Sequence, residues 1–111
     1  MTFGLRDSDI VYMTNLFRQH PDVEQVWVYG SRAKGTNRPG SDVDLALIGP
    51  DVERETVSHI HFVLEEDSPM PFFFDVLHWD TLTNEKVKNE IQQTAKLLYQ
   101  RSLNHAIDTH Q

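Results

Sequence analysis

Two apolar runs, VWVY at 26–29 and LALI at 45–48, flank the segment GSRAKGTNRPGSDVD at 30–44, and no other feature constrains the chain as much. Runs of β-branched and aromatic residues bounded by glycine and proline read as strands. Gly30-Ser31 ends the first strand, and Ser31 can open a short helical turn reaching about Lys34. Residues 36–41 form a polar loop with Pro39-Gly40 as its turn signal, and Gly49-Pro50 closes the second strand, 43–48. Side chains alternate along a strand, so Asp42, Asp44, Ala46 and Ile48 share one face while Val43, Leu45 and Leu47 share the other. Both carboxylates therefore project the same way from one end of a strand.

The remaining elements follow from the same signals. Asp7, Ser8 and Asp9 suit a helix start, and Ile10, Met13 and Phe17 follow at helical spacing, which predicts a helix over 8–19, stopped by His20-Pro21. A second helix is expected over 51–66, capped by Asp51, with Val57, Ile60 and Leu64 on its inner stripe. FFFDVLH at 72–78 reads as a third strand in which Asp75 is the only acid. Thr83-Asn84 caps a last helix ending near Ser102, with Val87, Ile91, Ala95 and Leu98 as its buried stripe. The order α-β-α-β-α-β-α predicts an α/β domain over 1–103, built on a small mixed three-stranded sheet with flanking helices, and a polar C-terminal tail over 104–111. The tight connection between the first two strands favours antiparallel pairing, and the helix between the second and third favours a parallel crossover.

At 111 residues the chain is one domain with one modest core. It lacks an apolar run long enough to span a bilayer and a signal-peptide pattern at its start, so it reads as cytoplasmic, with no membrane partner. The absence of cysteine removes disulfides, thiolate zinc sites and cysteine nucleophiles together. A net charge of −7 argues against a nucleic-acid backbone as the main ligand. Arg32, Lys34 and Arg38 gather in one loop, which suits a small polyphosphate better than a duplex.

Paired carboxylates on one strand, joined by a third from a neighbouring strand, offer oxygen ligands to hard divalent cations such as magnesium, which binds one or two carboxylates together with substrate phosphates. Two such ions roughly 3.5–4 Å apart can clamp the attacking and leaving oxygens of an in-line displacement at phosphorus. Asp42 and Asp44 are the candidate core ligands. Asp75 can complete a metal site and accept the proton of an incoming hydroxyl. Gly30 lets backbone approach phosphate closely, and free N–H groups after it favour an anion, with the Ser31 hydroxyl as a further donor. Arg32, Lys34 and Arg38 can add charge at a triphosphate, although spacing does not say which points inward. Of the six histidines, His59 and His61 do not share a helix face, and His78 reads as a surface or packing residue. Trp79 and the Phe72–Phe74 run read mostly as core.

Gly30-Ser31, ten intervening residues and then Asp42-Val43-Asp44 resemble the signature of the minimal nucleotidyltransferase (MNT) domains of the DNA polymerase beta-like nucleotidyltransferase superfamily. YGSRAKG and RPGSDVDLAL are close to that family's form, and Asp75 in FFDVL matches its later third acid. The resemblance implies a nucleotidyltransferase fold and magnesium-dependent transfer of AMP from ATP to a hydroxyl, with release of pyrophosphate. Carried over by position, it implies that Gly30 and Ser31 bind the triphosphate and that Asp42, Asp44 and Asp75 bind the metals. Many stand-alone proteins of this kind are antitoxins of a HEPN-domain ribonuclease toxin and can adenylylate one of its tyrosines, so a HEPN partner is expected here. Larger relatives add a domain for acceptor and base recognition, and its lack implies that a partner protein supplies the acceptor. Two other readings stand beside this one: an interaction module that neutralises its partner by binding alone, and transfer to a small hydroxyl compound such as an aminoglycoside.

Overall fold

The computed structural model describes residues 2–102. Its elements run α1 (Asp7–Arg18), β1 (Gln25–Tyr29), α2 (Ser31–Lys34), β2 (Val43–Ile48), α3 (Arg54–Phe62), β3 (Phe74–His78), α4 (Glu85–Thr94) and β4 (Lys96–Gln100). A π-helical turn, Val63–Asp67, extends α3, and a 3₁₀ turn, Trp79–Thr81, follows β3. The tail expected over 104–111 lies outside the described residues.

The strands form one mixed sheet in the order β3-β2-β1-β4. β1 pairs antiparallel with β2, and β2 pairs parallel with β3 across the α3 crossover, as the connections predict. The α/β class and the mixed sheet hold, but among the described residues the sheet has four strands. The helix expected to reach Ser102 ends at Thr94, and Lys96–Gln100 leaves it to pair with the free edge of β1. An unpaired strand edge leaves a row of backbone donors and acceptors without partners, and β4 supplies them. The helical stripe divides accordingly. Val87, Ile91 and Ala95 stay with α4 against one sheet face, whereas Leu98 joins the core on the other. Tyr99 reaches that core too, its ring tilted against Phe17 at 5.5 Å.

Alternation decides which side of the sheet is dry. Val26, Val28, Val43, Leu45 and Leu47 are fully buried beneath Met13, Leu16 and Phe17 of α1 and Ile60 of α3, with Leu64 beside them. Burying a side chain of this kind contributes about 1.5–3 kcal/mol, so this face holds the fold. The opposite face is covered only in part, by α4, through Ile91 against Tyr29 and Ala46. Its uncovered end carries the acids.

Local chemistry sets the element ends. The Asp9 carboxylate reaches back to accept the Arg6 N–H at 3.0 Å, and the Asn84 side chain accepts the Val87 N–H at 3.2 Å. Asp51, the expected cap of α3, lies instead in a turn, and Glu53 holds the N-cap position. β3 starts at Phe74 rather than at Phe72, and Phe73 is 72% exposed. At this sheet edge the Phe74 N–H donates to Glu65 Oε2 at 2.7 Å, and the Phe74 carbonyl lies 2.8 Å from His61 Nε2. Two side chains from the α3 crossover thus occupy edge groups that another strand would otherwise take.

Candidate active site

The strand register assembles the site. Tyr29 of β1 lies opposite Asp44 of β2, and Asp44 lies opposite Asp75 of β3. Cross-strand partners share a face, so these three side chains form a row across the sheet, on the side that carries Ala46 and α4. Asp42 belongs to the same face, one residue before β2 begins. Asp44 is half-buried, whereas Asp42 and Asp75 are exposed at the mouth. The Tyr29 hydroxyl donates to Asp75 Oδ2 at 3.4 Å.

Electrostatics matches this crowding. Burial, then the charges of Asp75, Asp42 and Glu90, push the Asp44 carboxyl up to about 6, with Arg32 pulling the other way. A carboxylate raised by like charges gains most from a cation arriving among them. The donors are all oxygens, which fits a hard divalent ion such as magnesium and not a thiolate-bound metal. Among the described residues no three acids or histidines already stand as a closed ligand cluster. Like charges on neighbouring strands do not close on one another unaided.

Gly30 is fitted to Asp44. Its backbone lies at φ +76° and ψ −149°, a region essentially restricted to glycine. A Cβ there would meet Asp44 Oδ2 at 2.7 Å and Glu90 Oε2 at 3.5 Å. The Gly30 N–H donates to Thr94 Oγ1 at 3.1 Å, and that hydroxyl donates to the Glu90 carbonyl at 2.8 Å. The last turn of α4 therefore braces the Gly30-Ser31 turn, with half-buried Ser31 opening α2.

The three loop cations part company. Arg32 is 3% exposed and its guanidinium binds backbone. Nε donates to the Ser41 and Asp42 carbonyls at 3.1 and 3.2 Å, Nη2 to Ser41 at 2.6 Å, and Nη1 to the Phe3 carbonyl at 2.9 Å. The group also stacks 4.5 Å over the Phe72 ring. Arg32 thus ties the loop end that delivers Asp42. Lys34 and Arg38 are exposed, and Lys34 borders a cavity of about 550 Å³ lined also by Asn37 and Lys96. His78 serves packing, with Nε2 at 2.7 Å from the Gly49 carbonyl and Nδ1 at 3.2 Å from Thr81 Oγ1.

The family profile described as Polymerase beta, Nucleotidyltransferase matches residues 12–104. The chain belongs to the polymerase beta nucleotidyltransferase family. No curated protein matches it. Among solved structures, this nucleotidyltransferase is similar to a toxin–antitoxin crystallised with AMP-PNP, at 15% identity and TM-score 0.67, covering 92% of this chain and 80% of that one. It is also similar to a structure of tri-AMPylated Shewanella oneidensis HEPN toxin in complex with MNT antitoxin, at 12% identity and TM-score 0.65, covering 93% and 79%. A third is the MntA–HepT toxin–antitoxin, at 12% identity and TM-score 0.64, covering 92% and 79%. At such identities the likeness is one of fold.

Two residues of this candidate site escape a reading of sequence. Glu90 lies on α4, where it looks like any solvent-facing helical acid, and only the packing of α4 brings it beside Gly30 and Asp44. Tyr29 reads as the last apolar residue of a strand. Its alignment with Asp44 depends on a register that the pattern of neither strand fixes by itself.

Proposed function

We propose that this chain transfers AMP from ATP to a hydroxyl, a tyrosine, of a HEPN-domain toxin, silencing it as its cytoplasmic antitoxin. The observation that carries the reading is the row of Asp44 and Asp75 beside the Gly30-Ser31 turn, at the uncovered end of the sheet. Family membership supports nucleotidyl transfer as the chemistry, and similarity to antitoxins crystallised with AMP-PNP or with an AMPylated toxin supports ATP and a protein acceptor. No helix among the described residues is long and apolar enough to cross a membrane.

In this reading Asp42, Asp44 and Asp75 hold magnesium, which when bound neutralises phosphate charge and orients the oxygens of an in-line displacement. Gly30 and Ser31 receive the triphosphate, with the exposed Lys34 and Arg38 supplying positive charge beside it. Arg32 acts indirectly, by fixing the backbone on either side of Ser41 and Asp42. The acceptor oxygen bonds to the α-phosphorus as the bond to pyrophosphate breaks, and Asp75 takes the hydroxyl proton.

The test is the intact mass of the candidate HEPN partner after incubation with this protein, ATP and magnesium. Addition of one or more AMP masses, lost in Asp42→Asn and Asp44→Asn proteins that remain folded, is the expected result. Modification that persists in both variants overturns the metal-site assignment. Neutralisation of the toxin without any mass change identifies a binding-only antitoxin instead.

A further inference from the structure

Asp75 is an exposed carboxylate on an edge strand, a setting in which a side chain ordinarily samples several rotamers. Its side-chain hydrogen bond comes from two strands away, from the Tyr29 hydroxyl at 3.4 Å. Tyr29 itself is 5% exposed, and its ring is clamped with Ala46 and Ile91. The ring is thus a rigid arm that starts on β1, passes the Asp44 position on β2 and ends at Asp75 on β3. A buried phenol needs a polar partner, and among its neighbours the acid row supplies it.

We infer that Tyr29 is a positioning residue of the metal site, holding Asp75 by one oxygen so that the other stays turned toward Asp44 for a divalent cation. The inference rests on the nucleotidyl-transfer reading above and adds to it a residue outside the Gly-Ser and Asp-x-Asp pattern. The phenol is suited to the task because it is an uncharged donor held in a packed ring, so it can bond a carboxylate without competing for the cation. The hydrogen-bonded partners of ligating carboxylates typically matter 10–100-fold in metal affinity or activity, which sets the scale of roughly a tenfold loss expected here.

The experiment measures Mn²⁺ binding to the full chain by electron paramagnetic resonance, with an ATP analogue bridged by methylene between the α and β phosphates. Wild type binds, Asp44→Asn does not, and Tyr29→Phe binds about tenfold or more weakly while melting within a few degrees of wild type. Wild-type protein also gives a tyrosine difference absorbance on adding Mg²⁺ with the analogue, a signal that needs no variant to fold. Equal affinity of Tyr29→Phe and wild type, or a silent tyrosine spectrum, overturns the role of Tyr29 and leaves the acids assigned as before. Failure of wild type to bind Mn²⁺ at all removes the metal-site reading and this inference together.

Discussion

Asp44 and Asp75 are register partners in a parallel strand pair, one half-buried and the other exposed, so these two acids differ in environment although they share a face. The consequence is an uneven pair. Burial and its neighbours hold the Asp44 carboxyl up near 6, so the metal-free fold opposes its ionisation.

Asp44→Asn is therefore expected to separate activity from stability. Transfer of AMP falls by more than about 100-fold, while the melting temperature does not fall. The folded pKa is raised, so the native state binds the proton more readily than the unfolded chain between the ordinary carboxylate value near 3.8 and about 6. Asp44 thus favours folding at low pH and loses that contribution as pH rises through 6. Relative to wild type without metal, Asp44→Asn gains stability across that window. Thermal melts from pH 4 to 7 check the sign, and an unchanged difference across the window contradicts it.

Gly30→Ala affects both properties at once. A methyl group 2.7 Å from Asp44 Oδ2, on a backbone with φ of +76°, displaces the acid and strains the turn. The strain is worth about 1–3 kcal/mol, readable in chemical denaturation, and activity is lost with it. A protein of wild-type stability and wild-type turnover would show that the turn relaxes freely.

Arg32→Lys is not a conservative change here. A lysine cannot reproduce the fork that binds the Ser41, Asp42 and Phe3 carbonyls, nor the stack on Phe72. A loss of about 1.5–3 kcal/mol of stability is expected, since part-buried carbonyls lose charge-assisted hydrogen bonds. If the guanidinium worked on phosphate instead, the KM for ATP would rise while the unfolding midpoint stayed in place.

His20 carries an acid sensitivity unrelated to the site. Its ring packs 5.2 Å from the His59 ring, and its buried Nε2 has no hydrogen-bond partner among the described residues. Burial and then His59 lower its pKa below the ordinary 6.5, with Asp22 opposing them. The unfolded chain therefore takes up the proton first. Stability from this group is present above pH 6.5 and is lost as pH falls from there through the lowered folded value. Replacing His20 with Gln flattens that part of the stability profile. This trend runs opposite to that of Asp44, so each is read as a difference between its own variant and wild type.

How far the sequence reached is clear from these residues. Strand periodicity alone puts Asp42 and Asp44 on one face and Val43, Leu45 and Leu47 on the other, because alternation is a local property of extended backbone. Connection lengths predict the antiparallel and parallel pairings, and both are observed. The Gly-Ser, ten-residue and Asp-x-Asp spacing indicates the family to which the chain belongs. Non-local geometry decided the rest. A helical stripe at 95–98 gave way to β4 because β1 had an edge to satisfy, and no local signal encodes a vacant edge. Burial made Arg32 a loop anchor rather than a free cation, although three cations in one loop look alike in a linear chain. Packing of α4 brought Glu90 to Gly30, and strand register brought the Tyr29 hydroxyl to Asp75, 46 residues further along. The residues proposed to bear the chemistry could be picked out because the Gly-Ser and Asp-x-Asp pattern is local. The residues that hold them in place emerged only when distant strands and the last helix came together.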